Sequence, residues 1–196
     1  MTLEKSLNLL KLSSTAKKFV LRNKSIFDIV IYGSTIRGKT KIRDVDVAII
    51  LGKEVSIGEK LELAQVFKAQ IKSLLPYEID VKCVSFSDFT DHTFMARAGI
   101  LAEGYSLLKK SFLSVRFGFE PRTVFIYSLA GLSNSKKTTF QYILNGRRGQ
   151  TGLLFSHDCR HLGSGAILVP LTHTEEFKQL FERQKIKYKI HSTLFY

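Results

Sequence analysis

The chain has 196 residues, 44% apolar and 24% charged. This is a globular composition that excludes a disordered or fibrous protein and allows one large domain or two small ones. Lys and Arg number 30 against 17 Asp and Glu, a net charge of +13, and a surplus of that size directs attention to nucleotides, nucleic acids and anionic membrane surfaces as partners. Two cysteines, Cys83 and Cys159, cannot staple a fold of this length. The opening Met1-Thr2-Leu3-Glu4-Lys5-Ser6 carries an acid and lacks the apolar run of a signal peptide. No stretch approaches the roughly 18–20 apolar residues of a membrane helix, so a soluble cytoplasmic protein is predicted.

In chain order, Leu3, Leu7, Leu10, Phe19 and Val20 fall at near-helical spacing among lysines and predict an amphipathic helix over residues 3–20. Phe27 to Tyr32 is β-branched and apolar, a strand stopped by the turn pair Gly33-Ser34. Val45 to Leu51 repeats that pattern as a second strand. Ser56 and Glu59 form a capping-box sequence, and Ile57, Leu61, Ala64, Phe67, Ile71 and Leu74 then step by three and four until Pro76. Glu78 to Val84 alternates with period two as a third strand. A short helix over residues 93–103 is expected to end at Gly104 in a left-handed cap, and Tyr105 to Leu108 reads as an edge strand.

Lys109-Lys110-Ser111 interrupts the pattern and Pro121 precedes a new strand, which predicts two domains, residues 1–110 and 111–196. The second reads as a small α/β unit. Its elements are a strand over residues 123–127, a helix capped by Ser133 or Ser135 and running through Leu144, and a mobile basic loop from Gly146 to Gly152. A strand over residues 166–169, a helix capped by Thr174, and a last strand carrying Ile186, Tyr188 and Ile190 complete it. Residues 111–196 hold 12 basic residues against 5 acidic, residues 1–110 hold 18 against 12, so the second unit is the more basic per residue.

The residues that carry chemistry lie in the first unit. Asp44 and Asp46 stand two apart at the start of a strand and project from one face, where their carboxylates can share divalent cations. A third strand acid completes a cage for two hard cations. Asp80 is favoured because it sits deeper in the apolar alternation, with Glu78 on the same face as the alternative. The Gly33-Ser34 turn offers backbone N–H groups, a hydroxyl and close approach to phosphate oxygens.

Gly33-Ser34, nine residues, Asp44-Val45-Asp46 and a later strand acid together resemble the polymerase-β type of nucleotidyltransferase, most of all its minimal members. Arg37-Gly38 stands where many of them have Arg-Gly, and Ile100-Leu101-Ala102-Glu103-Gly104 resembles the segment that closes the minimal domain. Many minimal members have ten residues in the gap, often with Ser before the first Asp, where this chain has nine and Arg43. The resemblance spans about residues 20–108. It implies an α/β (α+β) nucleotidyltransferase fold, a mixed sheet with helices against one side, and two Mg2+ ions, for which Mn2+ substitutes. It further implies transfer of a nucleoside monophosphate from a nucleoside triphosphate to an acceptor hydroxyl. By the same resemblance Gly33, Ser34 and Arg37 hold the triphosphate, Asp44 and Asp46 hold both metals, and Asp80 serves the acceptor hydroxyl.

The basic second unit points to a nucleic-acid acceptor, an RNA 3′ end in the leading reading. Its candidate contacts are Arg147 and Arg148 between glycines, and Lys185, Lys187 and Lys189 on one face of the last strand. Lysines on an edge strand also prevent sheet-to-sheet association. Phe117, Phe119, Tyr142 and Phe155 are candidate stacking surfaces or core. Two other readings stay open: transfer of AMP to a protein or small molecule, and a nucleic-acid-binding protein that keeps the fold without turnover. His157-Asp158-Cys159-Arg160-His161 offers metal-ligand types but no second pair at the usual spacing, and reads as a surface loop.

Overall fold

The computed structural model describes residues 8–37 and 42–196. The chain forms two compact units, the first ending at Phe119 and the second running from Glu120 to Tyr196. Among the described residues no helix is long and apolar enough to cross a membrane.

The first unit begins with α1 (Leu9–Arg22), which buries Leu9, Leu12, Ser13, Ala16 and Phe19. Leu3 and Leu7 lie outside the described residues. Leu10, expected on the inner face, is 72% exposed, because the buried stripe steps from Leu9 to Leu12, Ala16 and Phe19. β1 (Ile26–Tyr32) and β2 (Asp44–Leu51) pair antiparallel, and β3 (Glu78–Ser85) adds parallel to β2. The crossover between them is α2 (Ile57–Lys72), whose N-cap Ser56 Oγ accepts from the Glu59 N–H at 3.2 Å. Ile57 and Leu61, expected to face inward, are exposed, while Leu63, Phe67 and Ile71 are buried; the apolar stripe is displaced around the helix.

Two helices follow β3: α3 (Phe86–Thr90), which was not expected, and α4 (Ala96–Glu103), the helix expected over residues 93–103, starting three residues later. β4 (Tyr105–Ser106) then closes the sheet in the order β3-β2-β1-β4. Gly104 is extended (φ −62°, ψ 117°), not left-handed. Glycine is required there by space, since a Cβ would run into the Ile100 carbonyl oxygen.

The sheet is mixed, and helices flank both of its faces rather than one. Ile100 of α4 and Leu113 pack with Val30, Tyr32, Ala48, Ile50 and Val84. Val45, Val47, Ile49 and Leu51 on the opposite face are as deeply buried. α1 and α2, joined by the Phe19–Phe67 ring contact at 5.0 Å, lie against β1 and β3. Burial of both faces explains why β2 reads as a nearly continuous apolar run after its two aspartates.

Asp28 of β1 is fully buried and accepts from Ser106 Oγ at 2.9 Å, the Ile29 N–H at 2.8 Å and Arg116 Nη1 at 3.1 Å. Arg116 also lies 4.4 Å over the Phe27 ring. These bonds fasten the segment after β4 to the centre of the sheet. Arg116→Ala removes the counter-charge from a buried carboxylate and is expected to lower the unfolding free energy by about 2 kcal/mol, measured by urea denaturation.

The second unit is a four-stranded antiparallel sheet with its strands in the order 187–195, 120–128, 166–170 and 160–163. Its strands are β5 (Glu120–Ser128), β8 (Arg160–Gly163), β9 (Ala166–Pro170) and β10 (Lys187–Phe195). Between β5 and β8 run α5 (Asn134–Asn145), capped by Ser133, then β6 (Gly146–Arg147), β7 (Gln150–Thr151) and α6 (Leu153–Ser156). α7 (Thr174–Arg183) precedes β10. Phe125, Tyr127, Phe140, Phe177 and Phe181 form the core.

The expected mobile loop from Gly146 to Gly152 is a β-hairpin, with Arg148 (φ 50°) and Gly149 (φ 84°) at its turn. Two consecutive left-handed residues match the twist of paired strands. Thr174 does not cap α7, whose N-cap is His173; its hydroxyl is buried against that of Thr123 at 2.7 Å.

Candidate active site

β2 begins with Asp44 and Asp46, and the parallel register sets Glu78 opposite Asp44 and Asp80 opposite Asp46. Side chains opposite one another in a ladder share a face, so both aspartates of β2, Glu78, Asp80 and Lys82 project to one side. Antiparallel pairing brings Tyr32, the last residue of β1, opposite Asp46 on the same face. The chemistry therefore gathers at one end of the sheet, where β1 stops and β2 and β3 begin.

A tight turn completes the cluster. Gly33, Ser34 and Thr35 form a single 3-10 turn directly after β1. Gly33 takes φ +80°, and a Cβ built on it would lie 2.7 Å from Asp46 Oδ2. The glycine thus serves both a left-handed backbone and the approach of the carboxylate. Thr35 Oγ1 donates to the Asp44 carbonyl at 3.3 Å, and Ile36 is fully buried, which ties the turn to the start of β2.

Burial raises the pKa of Asp46, and the neighbouring charges of Asp44 and Asp80 push it further up, against smaller opposing effects of Lys82 and Arg37. The Tyr32 hydroxyl is pushed up to about 12 by burial and then by Asp46 and Asp80. Both directions describe a pocket crowded with negative charge. Lys82 Nζ lies 3.4 Å from Asp80 Oδ2, with both side chains about half exposed.

Arg37 Nη1 donates to both carboxylate oxygens of the buried Glu103 at 2.9 Å, so α4 orients the guanidinium near Asp46. Its Nε is buried with no hydrogen-bond partner among the described residues. The donor set fits a hard divalent cation: carboxylates on one strand face, one of them strained by its neighbours. The three aspartates do not, however, close to within 4.8 Å of one another as a histidine cluster in the second unit does.

Tyr32, Lys82 and Glu103 were not marked as site residues by the motif. Period-two alternation after Asp80 places Lys82 on the shared face, and Tyr32 immediately precedes the glycine turn. The Glu103 contact spans 66 residues and has no local signal.

In the second unit, Arg147 stacks over the Tyr142 ring at 4.6 Å, and Arg148 stands at the hairpin turn. Lys187 and Lys189 are exposed on one face of β10, an edge strand. Lys185 is not on that strand; it occupies the preceding turn with φ 55°. Tyr142 and Phe155 are 41% and 82% exposed, and in the first unit Phe117 and Phe119 are 54% and 37% exposed, so none of the four is a core residue.

Residues 13–99, all within the first unit, match the family model described as a nucleotidyltransferase domain. Solved structures similar to this chain include a toxin–antitoxin complex with AMP-PNP (18% identity, 48% of this chain and 71% of that one, TM-score 0.35). A putative nucleotidyltransferase from Sulfolobus solfataricus is similar at 16% identity (44% and 72%, TM-score 0.33). So is a tri-AMPylated Shewanella oneidensis HEPN toxin in complex with its MNT antitoxin, at 18% identity (52% and 69%, TM-score 0.33). No curated protein matches the chain.

Proposed function

We propose that this chain is a Mg2+-dependent nucleotidyltransferase that moves a nucleoside monophosphate from a nucleoside triphosphate to the 3′-hydroxyl of an RNA. The observation that carries this reading is the placement of Asp44, Asp46 and Asp80 on one face of the sheet beside a glycine turn that closes on Asp46. A nucleotidyltransferase domain over residues 13–99 supports the reaction class.

Asp44, Asp46 and Asp80 would hold the Mg2+ ions, which when bound would supply positive charge against the transferred phosphoryl group. Gly33 and Ser34 present the turn to the triphosphate, and Arg37, fixed by Glu103, meets its phosphate charge. Asp80 accepts the proton of the acceptor hydroxyl. The acceptor oxygen bonds to the α-phosphorus, the bond from that phosphorus to the bridging oxygen breaks, and pyrophosphate leaves.

The acceptor assignment rests on the basic second unit. Arg147 and Arg148 on a structured hairpin, Lys185 in the turn before β10, and Lys187 and Lys189 on that edge strand supply five cations. With five phosphate contacts to single-stranded RNA, affinity falls about a hundredfold between about 50 and about 200 mM salt.

Incubation with labelled nucleoside triphosphates, Mg2+ or Mn2+ and total RNA, beside the Asp44→Asn/Asp46→Asn double variant, tests the reading. Label on RNA 3′ ends from the unaltered protein alone is the expected result. Label on a protein or small molecule transfers the reading to AMP-type modification of that acceptor, and equal labelling by both proteins removes the catalytic assignment. Flat salt dependence of RNA affinity removes the RNA end.

A further inference from the structure

The second unit gathers three metal-ligating side chains that the nucleotidyl-transfer reading does not use. His157 follows α6, His173 ends the 3-10 turn Leu171–His173, and Glu176 lies in the first turn of α7. His157 Nε2 lies 3.2 Å from one oxygen of Glu176, and His173 Nδ1 lies 3.2 Å from the other. One ligand atom from each residue falls within 4.8 Å of the other two, a convergence that the described residues reach at this place alone.

We propose that His157, His173 and Glu176 form a binding site for a borderline transition-metal ion, Zn2+ by preference. Four ligands around Zn2+ at about 2.0–2.1 Å stand roughly 3.4 Å apart, close to the 3.2 Å spacing of each imidazole from the carboxylate. The two imidazole centroids are 4.1 Å apart with planes inclined by 34°, and the rings approach the two oxygens of a single carboxylate. Binding requires an unprotonated nitrogen on each ring and replaces the His173–Glu176 hydrogen bond and the His157–Glu176 contact with metal bonds. Three protein ligands leave a fourth position for water or another ligand.

Both arms of the site are held before any metal arrives. Arg122, 6% exposed, donates from Nη2 to Asp158 Oδ2 at 2.7 Å and from Nη1 to the Asp158 carbonyl at 2.6 Å, fixing the residue after His157. The Thr123–Thr174 hydroxyl bond fixes the residue after His173. The two anchors are neighbours on β5. The His157 ring also meets the buried Phe177 edge-on at 6.3 Å, which limits its rotation.

Imidazole donors separate this site from the aspartate cluster. Mg2+ takes oxygen ligands and keeps its waters, whereas Zn2+ and Co2+ accept imidazole nitrogen readily. The same chain therefore sorts two kinds of cation, a hard one in the first unit and a borderline one in the second.

Titration of the tag-free, full-length protein with Co2+ in excess Mg2+, followed by visible absorption and by Zn2+ competition, tests the site. One equivalent of Co2+ with ligand-field bands, displaced by Zn2+ and unaffected by Asp44→Asn/Asp46→Asn, is expected. His157→Ala/His173→Ala abolishes the bands, and Glu176→Gln weakens binding by more than about tenfold. Circular dichroism establishes whether the double variant folds; if it does not, the half-exposed Glu176 decides the matter through its Gln variant. No stoichiometric binding, full competition by Mg2+, or unchanged affinity in Glu176→Gln overturns the proposal.

Discussion

Asp46→Asn is expected to slow nucleotidyl transfer about a thousandfold and yet raise the Tm of the metal-free protein. Burial lifts the Asp46 pKa in the folded chain, and Asp44 and Asp80 lift it further. A carboxyl whose folded pKa exceeds its unfolded value contributes stability fully below the unfolded pKa of about 3.8 and loses that contribution as pH rises through the folded pKa. Near neutral pH the ionised Asp46 is therefore a cost, which Asn removes while keeping the shape. A gain of about 1 kcal/mol corresponds to roughly 2–4 °C for a chain of this length.

Added Mg2+ is expected to reverse the order, since under the proposed function the cation binds the unaltered folded chain and stabilises it by mass action. The same linkage makes Mg2+ affinity fall with falling pH, as protons compete for Asp46. Thermal unfolding of both proteins with and without Mg2+ reads both effects. A variant with a lower Tm than the unaltered protein in both conditions would refute the account of Asp46 as a strained ligand.

Gly33→Ala carries the second large effect. The new Cβ meets Asp46 Oδ2 at 2.7 Å on a backbone at φ +80°, so either the turn or the carboxylate must shift by several tenths of an ångström. Displacement of a catalytic group on that scale costs about a hundredfold in rate, and the left-handed alanine costs about 1 kcal/mol of stability. Gly118→Ala is the matched control: it has the same φ of +80° with nothing within 4 Å of its Cβ. It is expected to lose similar stability and keep full activity. Equal losses of activity in the two variants would mean that backbone strain, not contact with Asp46, is at work.

What the sequence disclosed and what it concealed divide along physical lines. The shared face of Asp44, Asp46 and Asp80 was legible because strand alternation fixes the face of each, and register with the next strand follows from burial of the neighbours. Helix faces were less secure: Leu10, Ile57 and Leu61 satisfy a helical step but point to solvent, because an apolar residue at the right spacing does not say which stripe the sheet will cover. Gly104 was assigned a glycine conformation when its need was for space. The hairpin at Gly146 read as a loop because its strands are two residues each, too short for alternation. His157 reads as a surface residue until the fold carries His173 and Glu176 beside it, across a separation that no local pattern spans.

The bonds around Asp28 bear on how the first unit can be handled apart from the rest. A fragment cut after residue 110 keeps Asp28 in the middle of the sheet but discards Leu113, which covers Ile50, and Arg116, which neutralises the carboxylate. Such a fragment exposes an apolar sheet face over an uncompensated charge and has every physical reason to aggregate. Cut after Phe119, the unit keeps its own lid and counter-ion, so the choice of terminus decides whether the isolated unit is soluble enough to assay.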